Sequence, residues 1–248
     1  MTSLAGLVRQ VARVGYDRLG GLLALNLAWD LAVAPWALAG WAAIVALDGA
    51  GGGVGPRLAI SLAAVQFVAL SPPTALICAA GEEWLDGAGA DLVHLVRTRR
   101  RGLVRAQMLG AGAAVATAVL AMNAVFYHSI GGWLGAALAG SMVWLLVALQ
   151  LVSLYLLPAA VAGSTTSAWG ALRQAAALAA GHPGYSAGLL GLALMIAAAG
   201  AFSGAGLLLG LTSVTGLLLT AGYRRVLPPG TRCSTAPEAA PEPQERAP

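Results

Sequence analysis

Lysine is absent from this chain, and charge of either sign is scarce: 14 arginines and 10 acids in 248 residues, or 10% charged. A soluble domain carries about 25% charged residues, enough to cover its surface. With 58% hydrophobic residues instead, a water-soluble fold of this length is excluded. The net charge of +4, spread over distant arginines, is too small and too dispersed for nucleic acid as a partner. Cysteine is nearly absent too. Cys78 lies in an apolar run and Cys233 near the end of the chain, so there is no disulfide framework and no metal-ligand spacing. The histidines His94, His128 and His182 are scattered and form neither H-x-x-x-H nor H-E-x-x-H. "GAGAD" (87–91) neither follows a strand nor matches a nucleotide fingerprint. Glu82, Glu83, Asp86 and Asp91 share a loop, but at no metal-loop spacing. No metal, cofactor or catalytic set is therefore expected, and no enzyme.

What the chain does have is long uncharged stretches, and about 18 or more apolar residues in a row mark a transmembrane helix. The lipid bilayer is the first expected partner. The expected fold is all-α, a polytopic membrane helix bundle with six spans at about 19–47, 58–80, 103–127, 133–162, 185–202 and 205–222. The last two share one uncharged stretch, with "AFSGAG" (201–206) as the turn between them. The count of six rests on arginine. Arg9, Arg13 and Arg18 precede span one. Arg97, Arg99, Arg100 and Arg101 lie between spans two and three, Arg173 between four and five, and Arg224, Arg225 and Arg232 follow the last. Six crossings gather every cluster on one side, which the positive-inside rule makes cytoplasmic, with both termini. Five would strand the last cluster outside. The first apolar run is too long for a signal-peptide core, so no cleaved signal is expected.

Three segments lie outside the spans. Residues 1–18 form an expected N-terminal interfacial helix, with Leu4, Leu7, Val8 and Val11 on one face and Arg9, Gln10 and Arg13 on another. "DGAGGGVGPR" (48–57) reads as a flexible loop. Residues 228–248, rich in Pro and Glu, form an expected disordered cytoplasmic tail.

"DLVHLVRTRRRGLVR" (91–105) is the most structured cytoplasmic signal. Asp91 is placed to cap a helix. Leu92, Leu95, Val96 and Leu103 then fall on one side, and His94, Arg97, Arg101 and Arg105 on the other, as a headgroup-binding or partner-docking stripe. The simpler reading is an anchor that only holds the loop inside. Arg99 intrudes on the apolar side, where it would snorkel. Glu82 or Glu83 is placed to pair with the arginines.

Several motifs now stand in order: "NLAW" followed by a proline in span one, "SPPTAL" in span two, "GEEWLDG" before the basic helix, "LYLLPAAV" ending span four, and "ALAAGHP" before span five. This order, over residues 16–225, resembles the YesL-like family of bacterial integral membrane proteins. That family has no established molecular activity. Its members occur with carbohydrate uptake and breakdown genes, so the resemblance implies an accessory role beside a membrane transporter subunit. It implies no oligomeric state. The chain departs from the family pattern in a longer first hairpin and in Asp30, where an apolar residue is expected.

Asp30 lies roughly 15 Å inside span one, where a carboxylate costs about 2.5–3.5 kcal/mol on insertion scales. No arginine sits at that depth. Asn26 is one turn away on the same face. Pro72 and Pro73 in span two cannot donate backbone hydrogen bonds, which frees the carbonyls of Val68 and Ala69 for a protonated Asp30. Gln66, Ser71 and Thr74 add polar groups. These five residues, Asp30, Asn26, Gln66, Ser71 and Thr74, make a candidate intramembrane site for a small permease. The competing reading is interhelical hydrogen bonding that fixes packing.

Overall fold

The computed structural model describes residues 4–49, 53–162, 167–203 and 211–227, and these form ten helices and no strand. Lipid offers the backbone no partners, so an apolar run must close its hydrogen bonds within a helix. The helices are α1 (Leu4–Asp17), α2 (Leu19–Gly49), α3 (Val54–Ala69), α4 (Pro72–Leu85), α5 (Leu92–Thr98), α6 (Arg100–Ile130), α7 (Gly132–Val161), α8 (Ala168–Gly181), α9 (Pro183–Ser203) and α10 (Leu211–Val226). Five segments among the described residues are long and apolar enough to cross a membrane: Leu19–Ala46, Val54–Leu85, Arg100–Ile130, Gly132–Val161 and Pro183–Gly200. The chain is a multi-pass helical membrane protein.

The differences from the expected boundaries are physical. The second span begins at Val54, inside the expected 48–57 loop, and is two helices. Pro72 and Pro73 occupy the first positions of α4, where their missing N–H groups cost nothing, and Ser71 is its extended N-cap residue. The third and fourth spans join tightly. Gly131 and Gly132 have φ of 75° and 68°, a left-handed geometry that glycine takes without strain. α10 begins at Leu211; the rest of the expected 205–222 span, the end of the 201–206 turn and the 228–248 tail lie outside the described residues. α8 was not expected. Ser167 Oγ caps it by accepting from Gly170 N at 3.0 Å, and it buries Ala171, Ala175 and Leu178 along one face.

α6 packs along α7 and α3, α2 along α3, and α10 against α4. In lipid no hydrophobic force draws helices together, so small residues that allow close approach and hydrogen bonds across helices do the work. The core fits that rule: Ala75, Ala79, Ala80, Ala106, Ala159 and Ala160 are completely buried. It is concentrated in α4, the last turns of α7 and α10, which meet where the arginines gather. Trp41, Trp133 and Trp144 point outward. α1 sits on α10 rather than apart from the bundle, burying Leu7 and Val11 but leaving Val8 exposed.

Candidate functional site

The break between α3 and α4 is the first place where polar groups converge. Leu70 N still donates to Gln66 O at 3.0 Å, and Ser71 N to Val68 O at 3.2 Å. The Thr74 hydroxyl reaches back to Val68 O at 3.5 Å and lies 3.3 Å from Ser71 Oγ. Trp29 Nε1, on α2, donates to Thr74 Oγ1 at 2.9 Å. The freed Val68 carbonyl is thus served from within its own span, and not by Asp30 as expected. Asp30 instead accepts from Asn26 Nδ2 at 3.3 Å, one helical turn away. Asn26 is completely buried, while Asp30 stands half-buried beside the outward-facing Leu27 and Leu31.

Gln66 turns elsewhere. Its Nε2 donates to Ser153 Oγ of α7 at 2.8 Å, and that hydroxyl donates to Leu149 O at 2.8 Å. The five expected residues therefore form two neighbouring pairs, Asn26–Asp30 and Ser71–Thr74, with Gln66 joined to a third helix. Trp29 ties α2 to the break. It was missed in the sequence because an aromatic ring in an apolar run carries no polar signal; only its spacing of three from Asn26 marks the same helix face. A matching tie runs from Trp36 Nε1 to Gln107 Oε1 of α6 at 2.8 Å.

The second convergence lies at the arginine-bearing end. Asp91 caps α5 as expected, its Oδ1 accepting from Val93 N at 2.9 Å. The basic segment is not one helix, however: α5 stops at Thr98 and α6 starts at Arg100. Arg99, at the kink, points into the protein. Its Nη1 donates to Val161 O at 2.8 Å, satisfying one of the orphan carbonyls at the end of α7. Its Nη2 lies 3.8 Å from Glu82 Oε2, on α4. The expected snorkelling of Arg99 is replaced by a tie between three spans, and the expected acid partner is Glu82. Arg224 of α10 grips Asp86 through both carboxylate oxygens, at 2.6 and 2.7 Å. Arg225 Nη2 donates to Gln10 Oε1 of α1 at 3.0 Å.

Against these inward arginines, His94, Arg97 and Arg101 are exposed, and their side chains bond to no other described residue. Arg105 is half-buried and lies along its own helix, with Nε donating to Arg101 O at 3.3 Å. The apolar face opposite is as expected at Leu95, which is completely buried, and not at Val96, which is exposed. Among the described residues no three His, Cys, Asp or Glu side chains come together as a metal site.

No family model matches the chain, and comparisons with curated proteins and with solved structures likewise return no match.

Proposed function

We propose that the protein is a non-enzymatic accessory component of a membrane transport system, docking through its basic cytoplasmic helix. The observation that carries this reading is the division among neighbouring arginines. Arg99 is spent on holding α4, α6 and α7 together, while His94, Arg97 and Arg101 stay exposed on either side of it. α10 completes a sixth crossing in this reading. Its last turn, where Arg224 pairs with Asp86, lies beside the loop before α5, which supports a side shared with the other arginine clusters, the one that the positive-inside rule makes cytoplasmic. The resemblance to YesL-like proteins supports a carbohydrate importer as the partner.

The test is purification of the full chain from native membranes in mild detergent. A transporter subunit in stoichiometric amount is the expected result, and replacing Arg97, Arg101 and Arg105 together by Ala removes it. Retention of that partner by the triple variant would overturn the docking face.

A second reading, a small permease with its coupling site at Asp30, is supported by the half-buried carboxylate beside a broken span. The pairing of Trp29, Thr74 and Ser71 with one another, and of Gln66 with Ser153, weighs against it, because each donor already serves helix packing. Solute flux in liposomes holding only this protein, abolished by Asp30→Asn, would favour the permease.

A further inference from the structure

A pocket of about 420 Å³ opens at the arginine-bearing end, between the start of α2, the end of α4 and the segment leading into α5. That is within the range of about 300–1,000 Å³ typical of small-molecule sites. Its floor is apolar, with Leu25 and Trp84, and its charged lining residues are Asp17 and Arg18. Gly20 and Gly21 form one wall.

The charges fit a zwitterion. Arg18 spends Nη2 on Gly87 O at 3.2 Å, and the rest of its guanidinium fork has no partner among the described residues. Beside it, α2 begins at Leu19, with one residue between it and the end of α1 at Asp17, and Leu22 N donates to Arg18 O at 2.9 Å. The remaining N–H groups of an arginine fork suit a phosphate. Asp17 is exposed, and its carboxylate is likewise without a partner among the described residues. A ligand with a phosphate, a nearby ammonium and an apolar body would satisfy all three features. Trp84 adds the amphipathic ring found at headgroup level.

We propose that this pocket binds one aminophospholipid of the phosphatidylethanolamine class, from the leaflet at the arginine-bearing end. The phosphate meets Arg18, the primary ammonium donates to Asp17, and the glycerol and upper acyl carbons lie over Leu25 and Trp84. Phosphatidylcholine has a similar shape but no N–H to donate, so Asp17 separates the two. Phosphatidylglycerol brings no cation at all.

The test uses the full chain in nanodiscs of phosphatidylethanolamine, phosphatidylcholine and phosphatidylglycerol in equal parts. After extraction into mild detergent, retained lipid per chain is measured by mass spectrometry. Phosphatidylethanolamine should exceed each of the others by roughly tenfold, the worth of one charge-assisted hydrogen bond. Asp17→Asn should erase the preference over phosphatidylcholine. Gly20→Leu should reduce all retention several-fold, because a side chain there meets open space and fills the pocket without disturbing a packed neighbour. Equal retention of the three lipids, a preference for phosphatidylglycerol, or selectivity that survives Asp17→Asn would overturn the proposal. Displacement of the lipid by millimolar inorganic phosphate would reassign the pocket to a free anion.

Discussion

Replacing Gly110 by alanine tests how the broken span is held. Gly110 lies about 15 Å along the 31-residue α6 and faces the break in span two. A Cβ there would run into the carbonyl oxygen of Leu70 and stand 3.1 Å from both its carbonyl carbon and its Cβ. The obstacle is mainly backbone, so it cannot swing aside as a side-chain tip would. Either α6 backs away, or the break reshapes and disturbs the Ser71–Thr74–Trp29 bonds. Overpacking of this kind costs about 1–3 kcal/mol.

Gly112 is the control. It is in the same helix, and a Cβ there meets nothing within 4 Å. Both substitutions share the intrinsic preference of a helix for Ala over Gly, up to about 1 kcal/mol, so it cancels between them. The difference left is the steric cost, which for a chain of this size corresponds to about 2–12 °C in Tm. A thiol-reactive fluorogenic dye provides the assay. Cys78 is completely buried against α10, so in a Cys233→Ser background its labelling reports unfolding in detergent. Gly110→Ala should melt below the parent and Gly112→Ala at or above it. Identical melting of the two would refute the close approach of α6 to the break.

Two other perturbations probe the ties between helices. Arg99→Met removes the bond to Val161 O and should cost about 1.5–3 kcal/mol, the range for a hydrogen bond to a charged group. In a double-mutant cycle with Glu82→Gln the coupling should stay below about 1 kcal/mol, because the pair is 3.8 Å apart and partly exposed; a larger value would make it the main tie. Thr74→Val should lower stability by about 0.6–1.7 kcal/mol, the scale of hydrogen bonds between membrane helices, and Thr74→Ser should restore it. An unchanged Tm for Thr74→Val would remove the hydroxyl from the account of the break.

Much of the fold was legible because lipid imposes a simple rule: a long apolar run must be a helix. The starts of α2 and α7, the Asp91 cap and the Pro-Pro break all follow from local chemistry. The candidate sites were only half legible. Asn26 and Asp30 pair because a helix places residues four apart together. The link from Gln66 to Ser153 spans 87 positions, and nothing local marks either as the other's partner. α8 escaped notice because its buried face is mostly alanine, in a chain where alanine is everywhere.

The sequence by itself determined the solvent and the helices that solvent requires, since hydropathy and helical periodicity are properties of contiguous residues. It also determined that a basic stripe exists between spans two and three. Only the tertiary structure decided which arginines in that segment face outward. Arg97, Arg99 and Arg101 are alike in chemistry and close in sequence. A kink at Arg99 turns one of them towards the end of α7 and leaves the others exposed, because an orphan carbonyl and a carboxylate from distant helices happen to meet there.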